Sequence, residues 1–216
     1  GIKLSRDIRY AITEFAPNQE IIVKKKTVIS NKILVPKDKI ESMVYIFCNN
    51  CKTSNFFKTR EEKCKRCGNL LEKQEAKKII IPKYGFDVKK KPSKVRKKPK
   101  ILTTSEPYID LTSSNNPKSK MILNNINLSI HKDVIIYIIN NMPFSINIQT
   151  GEIEKDKKRS KDKEFHLGAF YSTDILELKI DMKSFDIEDL IDRAYTIGYS
   201  LIESLSKIAS IKRDDL

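Results

Sequence analysis

Cys48, Cys51, Cys64 and Cys67 stand in two Cys-x-x-Cys pairs with twelve residues between the pairs, and the chain has no other cysteine. The x-x spacing lets each pair bend back and present two thiolates to one tetrahedral ion, the pattern of a zinc ribbon or knuckle. Gly68, directly after the second pair, supplies the positive φ that such a turn requires. Four thiolates leave no open coordination position, so no activated water can form and the expected role of zinc is structural. Lys52, Lys63, Lys65 and Arg66 are placed to offset the net negative charge of a tetrathiolate. Paired thiols without further cysteines suit a reducing compartment, and no run of apolar residues approaches the roughly 18 that cross a bilayer. With no signal-peptide pattern at the start, the expectation is a cytoplasmic protein with no membrane partner.

Around this cluster the pattern predicts an α+β fold. Its mixed or antiparallel sheet carries an inserted four-cysteine zinc knuckle and a long C-terminal amphipathic helix. Ile8, Ala11, Ile12 and Phe15 follow helical spacing, with Ser5 as cap and Pro17 as stop. Residues 20–35 are rich in Ile and Val and predict a hairpin broken at Ser30 and Asn31. Strands are expected at 43–47, 79–81, 134–139, 144–148 and 173–180, the last with Asp174, Leu176, Leu178 and Ile180 along one face. A helix follows from 186 to 209, capped by Ser184 or Asp186. Gly198 in its middle implies close packing there. The expected organisation is a helix and strands over 1–47, the knuckle and a return strand over 48–88, a basic and polar linker over 89–120, and the sheet and helix over 121–216.

The 216 residues contain 42 Lys and Arg against 28 Asp and Glu, a formal charge of +14. Such an excess points to a polyanionic partner, nucleic acid above all, unless it only reflects a chain generally rich in Lys, Ile and Asn. The charge is densest over 89–100, KKKPSKVRKKPK, which has eight basic residues, two prolines and no acid. Read as a loop or linker, this segment offers Lys89, Lys90, Lys91, Lys94, Arg96, Lys97, Lys98 and Lys100 as phosphate contacts. Phe56 and Phe57, between the cysteine pairs, either stack on bases or pack the ribbon onto the main domain, and packing is the favoured reading.

No glycine is followed by Lys and then Ser or Thr, so a phosphate-cradling ATPase loop is absent. His131 reads as a surface residue. His166 reads as a hydrogen-bonded histidine, although it could orient Thr173 or Asp174. A nuclease-like site built from Asp174, His166 and Thr173 would need more clustered carboxylates than these supply. The expectation is a segment without catalytic residues of its own.

Three stretches together resemble a known family. These are RDIRYAITEFAPNQEIIV at 6–23, the cysteine pairs followed by IIIPKYGFDV at 79–88, and HLGAFYSTDILELKI at 166–180. They are similar to the zinc-binding C-terminal domain of unknown function shared by MrfA-type superfamily 2 DNA helicases and the DISARM anti-phage protein DrmB. Asn18 stands where the family often has Gly. The family continues with a Tyr-Asp and Gly-Gly-rich strand and turn, so the resemblance implies that this chain is a piece of something longer. It also implies a role in DNA repair or antiviral defence. There the domain would serve a helicase motor in cis or in trans, with DNA, single-stranded DNA included, bound without sequence preference. The alternative is a protein–protein interaction scaffold with only incidental nucleic-acid binding.

Overall fold

The computed structural model describes residues 4–35, 40–94, 103–114, 117, 119–123, 126–153, 164–180 and 187–209. The fold is mixed α/β, with two helices among the described residues. Helix α1 (Ile8–Glu14) is capped by Asp7, whose carboxylate accepts the Arg9 N–H, and not by Ser5. Asp7 stands directly before the first turn, and its carboxylate accepts two bonds from the Arg9 guanidinium, which hold it there. The helix stops before Pro17, as its missing N–H dictates.

Strands β1 (Glu20–Val23) and β2 (Lys26–Ile33) form a hairpin, but its turn is Lys24–Lys25 and not Ser30–Asn31. Ser30 is fully buried in mid-strand; its hydroxyl donates to the Phe15 carbonyl at 2.7 Å and its N–H to the Gln19 carbonyl at 3.0 Å. These bonds tie β2 to the segment after α1, which accounts for a polar pair inside a strand. Strand β6 (Phe86–Lys94) pairs with β2 to complete a three-stranded sheet of order β1-β2-β6. Residues 89–94 are therefore strand, where a loop was expected. The pairing skips register between Thr27 and Ile29, opposite the stretch that contains Pro92. An edge strand with a bulge accommodates a residue that cannot donate to the ladder.

The larger sheet has β3 (Ser42–Cys48), β4 (Thr53–Phe57), β5 (Ala76–Ile80), β7 (Ser105–Asp110), β9 (Ile126–Asn140) and β11 (Glu164–Ile180). Their order is β4-β3-β5-β11-β9-β7, with β8 (Ser119–Leu123) on β9 and β10 (Phe144–Ser145) on β11. The sheet is mixed: β11 runs parallel to β5, with His166 opposite Ile79, while β3 is antiparallel to both β4 and β5. Its central strands are covered on both faces, so their apolar residues run on without alternation. Tyr45 and Ile79 enter one cluster with Phe56, Tyr137 and Ile139, and their neighbours Ile46 and Ile80 enter two others. Strand β11 starts nine residues before the expected Thr173. Its residue Gly168 lies so close to β5 that a Cβ there would stand 2.5 Å from Ile79 Cγ2. The strand expected at 144–148 shortens to two residues, because Ile146 pairs only through an isolated bridge to Ile153.

The chain divides into two units, Gly1–Lys120 with Ser129–Glu177, and Met121–Leu128 with Leu178–Leu216. The first holds both the three-stranded sheet and the cysteine region. The second contains the C-terminal helix α2 (Ile187–Ala209); the residues expected to cap it lie outside the described ones. Gly198 meets nothing within 4 Å of a Cβ position, so the close packing expected there is not seen among the described residues. No helix among the described residues is long and apolar enough to cross a membrane.

Candidate metal centre

Cys48 ends β3, and Cys51 sits in the tight turn that leads into β4. Cys64 and Cys67 lie in the second turn, before β5. The two turns share one construction. In the first, Lys52 (φ 54°) donates its N–H to the Cys48 carbonyl at 2.9 Å. In the second, Gly68 (φ 73°) does the same to the Cys64 carbonyl at 2.9 Å. Each knuckle thus closes with a left-handed residue just after its second cysteine. Gly68 takes that conformation freely, whereas Lys52 takes it against its own Cβ.

The result brings all four sulfurs within 4.8 Å of one another. Cys48 and Cys67 are 3.6 Å apart, as are Cys51 and Cys64. Sulfurs on a tetrahedron of 2.3 Å zinc–sulfur bonds stand about 3.8 Å apart, so these two pairs have the separation such an ion requires. None of the four cysteines is in a disulfide. Among the described residues this is the one group of His, Cys, Asp and Glu close enough to hold a metal. The thiols are also driven in opposite directions. Burial pushes Cys51 up to about 11, while the Asn69 N–H and the Asn50 amide hold Cys67 down to about 6. Burial opposes the Cys64 thiolate, but the N–H groups of Cys67 and Arg66 and the Asn55 amide outweigh it and lower its pKa. Thiolates held this close repel one another, and a cation among them removes that repulsion. The donor set fits a metal ion such as zinc, which would hold the two turns together with no position left for water.

The surrounding polar groups were only partly legible in advance. Asn55 is fully buried; its Oδ1 accepts the Lys65 N–H at 2.9 Å and its Nδ2 donates to the Thr53 carbonyl at 3.0 Å. Lys65, expected to offset the thiolates, donates from Nζ to the Phe56 carbonyl and lies 4.7 Å over the Phe57 ring. Arg66 pairs with Glu177 on β11 at 3.0 Å. Glu177 in turn meets His131 Nε2 at 3.1 Å. His131 is therefore buried, contrary to the surface position expected for it. Its polar neighbours in sequence hide the fact that Glu177 supplies a partner from another strand. Phe56 and Phe57 are buried, with Phe56 stacked on Tyr137 at 3.8 Å, so both pack the cysteine region onto the sheet.

His166 Nδ1 bonds the Asn140 carbonyl at 2.9 Å, and burial lowers its pKa. Asp174 accepts the Asp133 N–H at 3.1 Å. Each thus has its own local partner. Of the basic residues singled out over 89–100, Lys89, Lys90, Lys91 and Lys94 belong to β6, while Arg96, Lys97, Lys98 and Lys100 lie outside the described residues. Compared with protein-family models, with curated proteins and with solved structures, the chain matches none.

Proposed function

We propose that this chain is a non-catalytic, zinc-binding accessory domain of a DNA helicase or of a helicase-partner protein. In this reading it is akin to the C-terminal domain of MrfA-type helicases and DrmB, and it works in DNA repair or anti-phage defence in the reducing cytoplasm. The observation that carries the reading is the four-sulfur cluster, whose donors would saturate a zinc ion and so make it a structural clip. The inserted knuckle then holds β3, β4 and the following turn as one rigid corner, and activity belongs to the motor it serves. The +14 charge and the lysines of β6 supply a sequence-independent hold on nucleic acid.

A second reading, an interaction scaffold, draws on α2. Ile191, Tyr195 and Tyr199 are more than half exposed and follow helical spacing, so an amphipathic helix could dock the motor. The test is fluorescence anisotropy with single-stranded and duplex oligonucleotides from 50 to 200 mM salt. Wild type should bind with a steep negative slope, and neutralising the basic residues of 89–100 should flatten it. Binding that is absent at every salt concentration would overturn the nucleic-acid role and leave the scaffold reading.

A further inference from the structure

The turn between β1 and β2 is a two-residue hairpin loop in which Lys24 (φ 48°) and Lys25 (φ 62°) both adopt left-handed backbone. That geometry belongs to Asn-Gly and Asp-Gly, and a Lys-Lys pair occupies it only against the clash of each Cβ with its own carbonyl. Nothing in the hairpin's packing asks for lysine: Lys24, Lys25 and Lys26 are all exposed, and none has an ion pair among the described residues.

The register adds to the cost. Lys26 lies directly opposite Lys94 of β6, a like-charge pair that destabilises a sheet. The neighbouring positions offer no relief, since Lys26 faces Val23 on β1, and Thr27 faces Ile22 and Ser93. The acidic residues of this sheet stand at its far end, with Glu20 opposite Ile29 and Asp87 opposite Lys32. Backbone strain and like charge therefore converge on one end of the sheet. The hairpin requires left-handed backbone but not lysine, and a strained residue that packing does not require grounds a hypothesis of function.

We infer that Lys24, Lys25 and Lys26 form a phosphate-binding surface for the nucleic-acid backbone, at the end of the sheet where the register brings Lys94 opposite Lys26. The hairpin tip is the part that the 89–100 segment alone does not reveal. This rests on the nucleic-acid reading above and extends it to a second, sequence-distant segment. The surface reads charge and not bases, because lysine ammonium groups contact phosphates and carry no sequence information.

The test compares four proteins by anisotropy on a labelled 20-mer, single-stranded and duplex, from 50 to 200 mM salt. They are wild type, Lys24→Asn/Lys25→Gly, Lys24→Arg/Lys25→Arg, and a variant with the basic residues of 89–100 neutralised. The Asn-Gly variant suits the turn better than the native pair, so it should melt no lower than wild type. It should nonetheless bind at least roughly tenfold more weakly near 0.1 M salt, with a log–log salt slope smaller by about 1.4 to 1.8. The double-Arg variant should bind like wild type. If the Asn-Gly variant binds as wild type while the 89–100 variant loses binding, the hairpin is not part of the surface and the β6 reading stands. An equal loss in the double-Arg variant would also overturn the inference, since charge would then not be what matters. If wild type binds neither oligonucleotide, this inference and the nucleic-acid reading fall together.

Discussion

At the cysteine corner the charged and polar groups find partners inside the fold: Lys65 on the Phe56 carbonyl, Arg66 on Glu177, Glu177 on His131, and Asn55 on two backbone groups. At the β1–β2 turn, Lys24, Lys25 and Lys26 are exposed on strained or like-charged positions. Both regions belong to the same unit of the fold, so the difference is not one of overall stability or composition. A site that holds a metal to keep its shape must satisfy its surroundings internally, because any unpaired buried group weakens it. A site that waits for a polyanion must do the opposite and keep its charges free for an outside partner.

The largest effect should come from taking the metal away. Structural zinc is worth on the order of 10 kcal/mol in isolated finger peptides. Here Ile46, Phe57 and Leu71 give the corner a small core of its own, so only part of that is at stake. A loss of about 4 kcal/mol would lower Tm by roughly 8 to 16 °C. Cys48→Ser should abolish the bound zinc seen by elemental analysis and shift the melting curve by a comparable amount. The affinity for zinc should also fall as pH falls, because protons compete for the thiolates. Burial makes Cys51 the ligand that resists giving up its proton, while the hydrogen bonds on Cys67 favour its thiolate. A chelator that strips the metal and leaves the melting curve in place would erase the contrast between the two regions.

Asn55 probes the same corner without touching a ligand. Asn55→Ala leaves the Lys65 N–H and the buried Thr53 carbonyl without their partner, at about 1–3 kcal/mol. Loss of an outer hydrogen bond of this kind typically weakens metal affinity about 10- to 100-fold. Competition with a coloured zinc chelator measures the affinity and thermal denaturation the stability. If stability fell while zinc affinity held, Asn55 would belong to the packing and not to the site.

The ease of reading these regions from sequence follows from how local their signals are. The cysteine pairs and Gly68 declare themselves because the spacing is the geometry, and α1 shows in its helical periodicity. The hairpin turn does not, because Lys-Lys is not a residue pair that favours left-handed backbone, whereas Ser30 and Asn31 resemble a break although Ser30 is held in strand by bonds to Phe15 and Gln19. Strand β6 is written in lysine and proline, which say nothing of pairing until β2 lies alongside. His131 and Glu177 are 46 residues apart, and only the β9 and β11 pairing brings them together.

The smallest effects test the contrast most directly. Lysine in left-handed backbone costs about 1–2 kcal/mol. Lys25→Gly removes that strain but its added flexibility returns about 0.5–1 kcal/mol, and Lys24→Asn removes only part of it. A net stabilisation of about 1 kcal/mol should raise Tm by roughly 2–4 °C. Lys52 at the cysteine corner holds the same kind of backbone, so Lys52→Gly should raise Tm by a similar or smaller amount. The two changes should part company in nucleic-acid binding. The hairpin variant should gain stability and lose affinity, while the corner variant should gain stability and keep it. Equal losses of affinity per lysine removed would mean that the protein's overall charge does the binding, and that the strained turn has no special part in it.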